Sequence, residues 1–89
     1  MTRIEKIHAA LASALDTTQI DIEDESHLHA GHVGAQTGRG HFSVSIVSSA
    51  FAGLGPAQRH RAVYAALGSL MQSDIHAISI RARTPDEAR

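Results

Sequence analysis

His27, His29 and His32 crowd into the string His-Leu-His-Ala-Gly-His, and His41 stands at the far end of the same glycine-studded stretch. Imidazole ionises near neutral pH and is the commonest metal ligand, so this spacing points to metal or proton chemistry. The chain has seven histidines and no cysteine, which leaves it only nitrogen and oxygen donors. A cofactor that needs thiolate must draw it from another molecule. Neither an H-E-x-x-H helix nor a cysteine pair is present, so the pattern is not that of a dedicated zinc enzyme. Solvated polar loop residues would account for the same three side chains.

A second constellation is Gln58-Arg59-His60-Arg61, with Tyr64 one turn beyond His60. Cations in the first turns of a helix oppose the positive end of its dipole, at a cost of up to about 1 kcal/mol each. An anion-binding or acidic-partner surface would offset that cost; an ordinary solvated face would also carry these residues. Nucleophilic catalysis finds less support. No serine sits in a G-x-S-x-G elbow, no glycine-rich phosphate loop follows a strand, and Asp24 with Glu25 reads as a solvated strand end.

The elements that must position these residues follow from hydrophobic spacing. Ile4, Ile7, Leu11 and Leu15 recur at helical intervals over residues 2–15, with Thr2 and Glu5 spaced as a capping box and His8 on the polar side. Residues 19–24 alternate as a half-wet strand. Residues 26–40 hold four glycines without periodicity, a loop whose length in so small a fold implies a function. Residues 41–47 alternate again, with Phe42, Val44 and Ile46 on the inner side, and 49–55 form a glycine-containing turn. Gly55-Pro56 opens a second helix whose buried stripe is Val63, Ala66, Leu67 and Leu70. A third strand spans 74–81 with His76, Ile78 and Ile80 on one face, and residues 84–87 end the chain in a short helix or a frayed tail.

Helix, strand, strand, helix, strand is the order of a two-layer α+β sandwich, read as one domain over residues 1–89. A strand that returns to its neighbour through a helix normally pairs with it in parallel. Strands two and three then begin at the same end of the sheet, where the histidine loop also empties, so that His76 comes to lie beside that loop. By itself, a histidine at the end of an apolar face is usually a hydrogen-bonded packing residue. His41 serves either packing or the outer support of a metal site.

Composition narrows the function classes. Eight Lys and Arg against nine Asp and Glu give a formal net charge of -1, which argues against a dominant phosphate-neutralising surface. No apolar run reaches membrane-spanning length, and the charged string Met-Thr-Arg-Ile-Glu-Lys lacks the apolar core of a signal peptide. A cytoplasmic protein without a membrane role is expected.

Five strings in order carry a resemblance: Asp24-Glu25-Ser26 running into the histidine loop, His41-Phe42, Ser48-Ser49-Ala50-Phe51-Ala52-Gly53-Leu54, Gln58 through Leu67, and Ile75-His76-Ala77-Ile78-Ser79. The chain resembles the BolA family over nearly its whole length. The resemblance implies a class II KH-like fold: a three-stranded mixed sheet with helices on one face. It also implies a monothiol glutaredoxin partner, with a 2Fe-2S cluster shared between this chain, the glutaredoxin cysteine and a glutathione thiol, and no cluster held by this chain alone. The family's signature histidine falls on His76. Its variable loop ligand most nearly falls on His29, with His32 and then His27 as alternates. The arginine-rich helix start maps to Arg59, His60, Arg61 and Tyr64 and is expected to dock acidic groups of glutathione or the glutaredoxin. Two imidazoles on one iron are known from Rieske-type centres, and because neutral imidazole is the ligand, binding should weaken below about pH 6.5. A DNA-binding transcriptional regulator using Arg59, Arg61, Arg81 and Arg83 is the alternative, with weak nucleic-acid affinity expected, since the G-x-x-G clamp of KH domains is absent. An autonomous metal binder built on His27, His29 and His32 is the third reading.

Overall fold

The computed structural model describes residues 1–26 and 39–89, which leaves the loop candidates His27, His29 and His32 outside the described residues. Among those described, the order is α1 (Arg3–Ala14), β1 (Thr17–Asp24), β2 (Gly40–Ser48), a 3-10 turn (Ser49–Phe51), α2 (Pro56–Leu67), α3 (Leu70–Ser73) and β3 (Ile75–Arg83). The capping box forms as its spacing predicts: the Glu5 amide donates to Thr2 Oγ1 at 3.1 Å and the Thr2 amide to Glu5 Oε1 at 2.8 Å. Pro56 sits in the first turn of α2, where a missing N–H costs nothing. The sequence stripe that joined Leu70 to α2 is broken at Gly68, whose φ of +55° ends the helix. Leu70 belongs to the separate single-turn α3.

The sheet has the order β1-β2-β3, with β1 antiparallel and β3 parallel to the central β2. Cross-strand partners share a face. Ile22, Val44 and Ile80 make one inner row, and Ile20, Ile46 and Ala82 the next. Helices α1 and α2 cover this face, and Ile7, Leu11, Val63 and Leu67 meet Phe42, Val44 and Ile46 in one core. Each such buried side chain contributes about 1.5–3 kcal/mol relative to exposure. The opposite face carries polar rows, Asp21–Ser45–Arg81 and Glu23–Ser43–Ser79. The expected mixed sheet with helices on one face is therefore present.

Strand β3 departs from simple alternation at its start. Gly40 pairs with Ile75, but His41 pairs with Ala77, so His76 is an extra residue on the β3 side. A bulge of this kind reverses the parity of the strand and re-aims a side chain. Ile75 is buried while His76 and Ala77 are both exposed. The expectation that His76 shares the inner face with Ile78 and Ile80 is thus corrected: the extra residue turns its ring outward, because Ile75 and Ile78 both fill the core.

The foot of β3 is fixed from two sides. The Gly40 amide donates to the Asp74 carbonyl at 2.9 Å, and the Asp74 carboxylate, on a residue only 7% exposed, receives Lys6 Nζ at 3.3 Å and Arg3 Nε at 3.4 Å. A hydrogen bond from Ser73, followed by those cations, holds the Asp74 carboxyl below its ordinary range. Gly40 is required at the head of β2 for space. A Cβ there would stand 2.7 Å from the Phe42 ring and 2.8 Å from Ser26 Oγ. Gly40→Ala is expected to destabilise the fold by about 1–3 kcal/mol as overpacking does; a urea midpoint equal to the parent's would refute this.

Candidate functional site

Parallel pairing brings the starts of β2 and β3 to one rim. There the His41 and His76 rings lie with centroids 5.1 Å apart and planes tilted by 54°. Ser26, at the near end of the histidine loop, is part of the same corner. Its hydroxyl accepts the His41 amide at 3.1 Å, its own amide donates to Asp24 Oδ1 at 2.9 Å, and the Glu25 amide donates to the His41 carbonyl at 2.8 Å. The loop thus leaves the sheet beside His41 and re-enters it through Arg39 and Gly40. His41, left between packing and outer support by its sequence context, stands against His76 and braces that ring.

Arg39 was not among the residues singled out from sequence. Its Nη2 lies 3.4 Å from His76 Nδ1 and its Nη1 3.5 Å from the Met71 carbonyl, so it spans from α3 to the histidine pair. The available signal was a cation immediately ahead of Gly40-His41 on a strand parallel to the one that His76 begins.

His41 borders a shallow hollow of about 130 Å³, lined also by Glu25, Phe42, Ala77, Ile78 and Ser79. Pockets that enclose small molecules run from about 300 to 1,000 Å³. The rim is therefore a contact surface rather than an enclosing pocket. Among the described residues no group of three or more His, Cys, Asp or Glu side chains is placed to hold a metal ion. His76 and His41 would need further ligands from the loop or from another molecule.

The basic helix start lies elsewhere. Arg59 donates from Nε to the Leu54 carbonyl at 2.8 Å, from Nη1 to the Ala82 carbonyl at 3.1 Å, and from Nη1 and Nη2 to the Glu87 carboxylate at 2.6 and 3.2 Å. Its side chain is 15% exposed, and its contact at Ala82 is six residues along β3 from His76, about 20 Å at the rise of a strand. Arg59, one of the four residues expected to dock acidic groups of glutathione or the glutaredoxin, already has intramolecular partners for its guanidinium. Its guanidinium is taken up in fastening the chain's last turn to α2, at the far end of the parallel strands. His60, Arg61 and Tyr64 are exposed on α2. Of the four arginines of the DNA-binding alternative, Arg59 is engaged by Glu87 and Arg81 stands in a row with Asp21.

The last turn is a closed unit. The Thr84 amide donates to Glu87 Oε1 and the Glu87 amide to Thr84 Oγ1, at 2.8 and 3.3 Å. Hydrogen bonding from Arg59, then from the Thr84 amide, lowers the Glu87 carboxyl from 4.5 to about 2. A carboxyl depressed by folding adds stability that is complete above its unfolded value and disappears as pH falls through its folded one. The urea midpoint should therefore drop between about pH 4.5 and pH 2, with Asp74 contributing in the same direction. Glu87→Gln should flatten the drop, and an unaltered pH profile in that variant would contradict the assignment.

The fold and the rim define a small α+β protein that presents two imidazoles at the head of parallel strands. Residues 11–87 match the family model described as BolA: BolA-like protein, and the chain belongs to that family. It is 44% identical to BolA-like protein 1 of Bos taurus over 79 residues, 89% of this chain and 56% of the relative, so that it spans little more than half of that relative's length. Among solved structures, BolA1 from Arabidopsis thaliana superposes with a TM-score of 0.84 at 34% identity, covering 100% of this chain and 99% of that one. The BolA domain of SufE1 from Arabidopsis thaliana gives 0.85 at 39% identity, over 98% and 96%. Among the described residues no helix is long and apolar enough to cross a membrane.

Proposed function

We propose that this protein is a non-enzymatic partner of a monothiol glutaredoxin and helps to hold a bridging 2Fe-2S cluster, as cargo for assembly, delivery or iron sensing. The observation that carries this reading is the exposed His76 ring, turned outward by the β3 bulge and set 5.1 Å from His41 at the rim where the loop returns. The donor set fits a shared cluster. A chain without cysteine can offer imidazole nitrogen but not the thiolates on which iron-sulfur clusters depend. The open rim admits a thiol-bearing molecule, whereas an inward-facing histidine would not.

In this reading His76 supplies one nitrogen ligand, and a loop histidine, His29 with His32 or His27 as alternates, supplies the other. His41 and Ser26 belong to the corner at which His76 stands. A cluster so bound would supply electron and iron-sulfur transfer chemistry at a potential raised by nitrogen ligation. The occurrence of a BolA domain within SufE1 is in keeping with a binding module that works beside another unit.

The test is to mix the chain with a monothiol glutaredoxin, glutathione, iron and sulfide and to record the visible spectrum. A spectrum distinct from that of the glutaredoxin-cluster complex is expected. An unchanged one would overturn the proposal.

A further inference from the structure

Arg39 and His76 meet at the only imidazole that the bulge turns outward from β3, and the chemistry of the two groups limits what their contact can be. Arginine carries five N–H donors and no acceptor. Its approach to His76 Nδ1 at 3.4 Å is a hydrogen bond only if that nitrogen presents its lone pair. A neutral imidazole has one lone-pair nitrogen and one N–H, so the ring proton then resides on Nε2. Neither nitrogen is open to a metal in this state. The lone pair at Nδ1 is engaged by the guanidinium, and Nε2 holds a proton where the lone pair would be needed.

We propose that Arg39 is a positioning residue that gates His76: a metal reaches this imidazole only when the Arg39 hydrogen bond is broken. Two routes lead there, and both require the arginine to withdraw. Coordination through Nδ1 takes over the lone pair that Arg39 occupies. Coordination through Nε2 moves the ring proton to Nδ1, where it would face a group that can only donate. Nη1 of the same guanidinium reaches the Met71 carbonyl at 3.5 Å, a contact that ties Arg39 to α3 beside the ring. This deepens the cluster-sharing reading, on which the identity of His76 as a ligand rests.

The experiment uses the chain alone, so that its failure and the failure of glutaredoxin partnership are separate results. Ring nitrogen signals of His76, assigned by comparison with His76→Gln, are followed by NMR during titration with zinc as the probe. The parent protein should show the His76 proton on Nε2. Arg39→Ala should reach half-saturation at the His76 signal at about fivefold lower zinc, the effect of removing one net hydrogen bond. Arg39→Lys, which restores a cationic donor, should return most of the parent midpoint, and Arg89→Ala, which removes a charge at the chain's last turn, should leave it in place. A parent proton on Nδ1, an Arg39→Ala midpoint equal to the parent's, or an equal shift in Arg89→Ala would each overturn the gate.

Discussion

His76→Ala is expected to abolish the spectrum of the mixed glutaredoxin complex while leaving the fold intact. The two halves of that result have different causes. The ring is exposed at an extra residue on β3, so its removal opens no cavity; surface substitutions of this kind usually stay within about 0.5 kcal/mol. The imidazole is nevertheless the proposed ligand, brought to the rim by the parallel register, and replacing it leaves a methyl group with no lone pair to donate. Mixing His76→Ala with glutaredoxin, glutathione, iron and sulfide should return the spectrum of the glutaredoxin complex by itself. Retention of the mixed spectrum, with urea midpoints equal in the two proteins, would mean that His76 holds nothing.

Phe51→Ala is expected to have the largest effect on stability. Phe51 closes the 3-10 turn after β2 and is fully buried against the core that β2, α1 and α2 share. The turn is arranged to deliver it: the Ala50 amide donates to the hydroxyl of the buried Ser48 at 3.0 Å, and the Leu54 amide to the Phe51 carbonyl at 3.0 Å. Truncating a buried phenylalanine costs about 3–5 kcal/mol in lost transfer energy and residual cavity. Domains of this size are stable by only about 5–15 kcal/mol, so the variant should lose a large part of its margin in urea denaturation followed by circular dichroism. Phe51→Leu should recover much of the loss. A Phe51→Ala midpoint within experimental error of the parent's would refute the placement of this ring in the core.

How far each element was legible depended on how local its cause is. Residues 2–15 announced α1 because a capping box and a 3.6-residue apolar period act within single turns, and both are present with Ile7 and Leu11 buried. Strand β2 was legible for the same reason, with Phe42, Val44 and Ile46 alternating inward. Residues 49–55 were readable as a turn, yet the burial of Phe51 within it was not, since one aromatic in a turn has no period to betray which side it faces. The split of the second helix at Gly68 was masked by the apolar spacing that runs on to Leu70, although the glycine was its signal.

The site divides along the same line. That His76 should lie at the end of the sheet where the loop empties into His41 followed from connectivity, because a strand-helix-strand crossover makes the strands parallel and starts them together. Its outcome is the 5.1 Å separation of the rings. The direction in which His76 faces, the contact with Arg39 and the capture of Arg59 by Glu87 did not follow. Each depends on a partner fixed by register or by chain return: Ala77 against His41, α3 over the rim, and the last turn folded back on α2.

The amino-acid sequence by itself determined the order of elements, the inner faces of α1, β1 and β2, the absence of thiolate and the end of the sheet at which the histidines gather. These are set by spacing along the chain and by a general rule of strand connection. Only the tertiary structure decided that one surplus residue in β3 turns His76 to solvent and that two arginines are drawn to partners 28 and 37 positions away. A bulge arises where two strands must both fill a common core, and a long side chain takes whichever acceptor the packed elements bring within its reach, so neither outcome is encoded in any local stretch of residues.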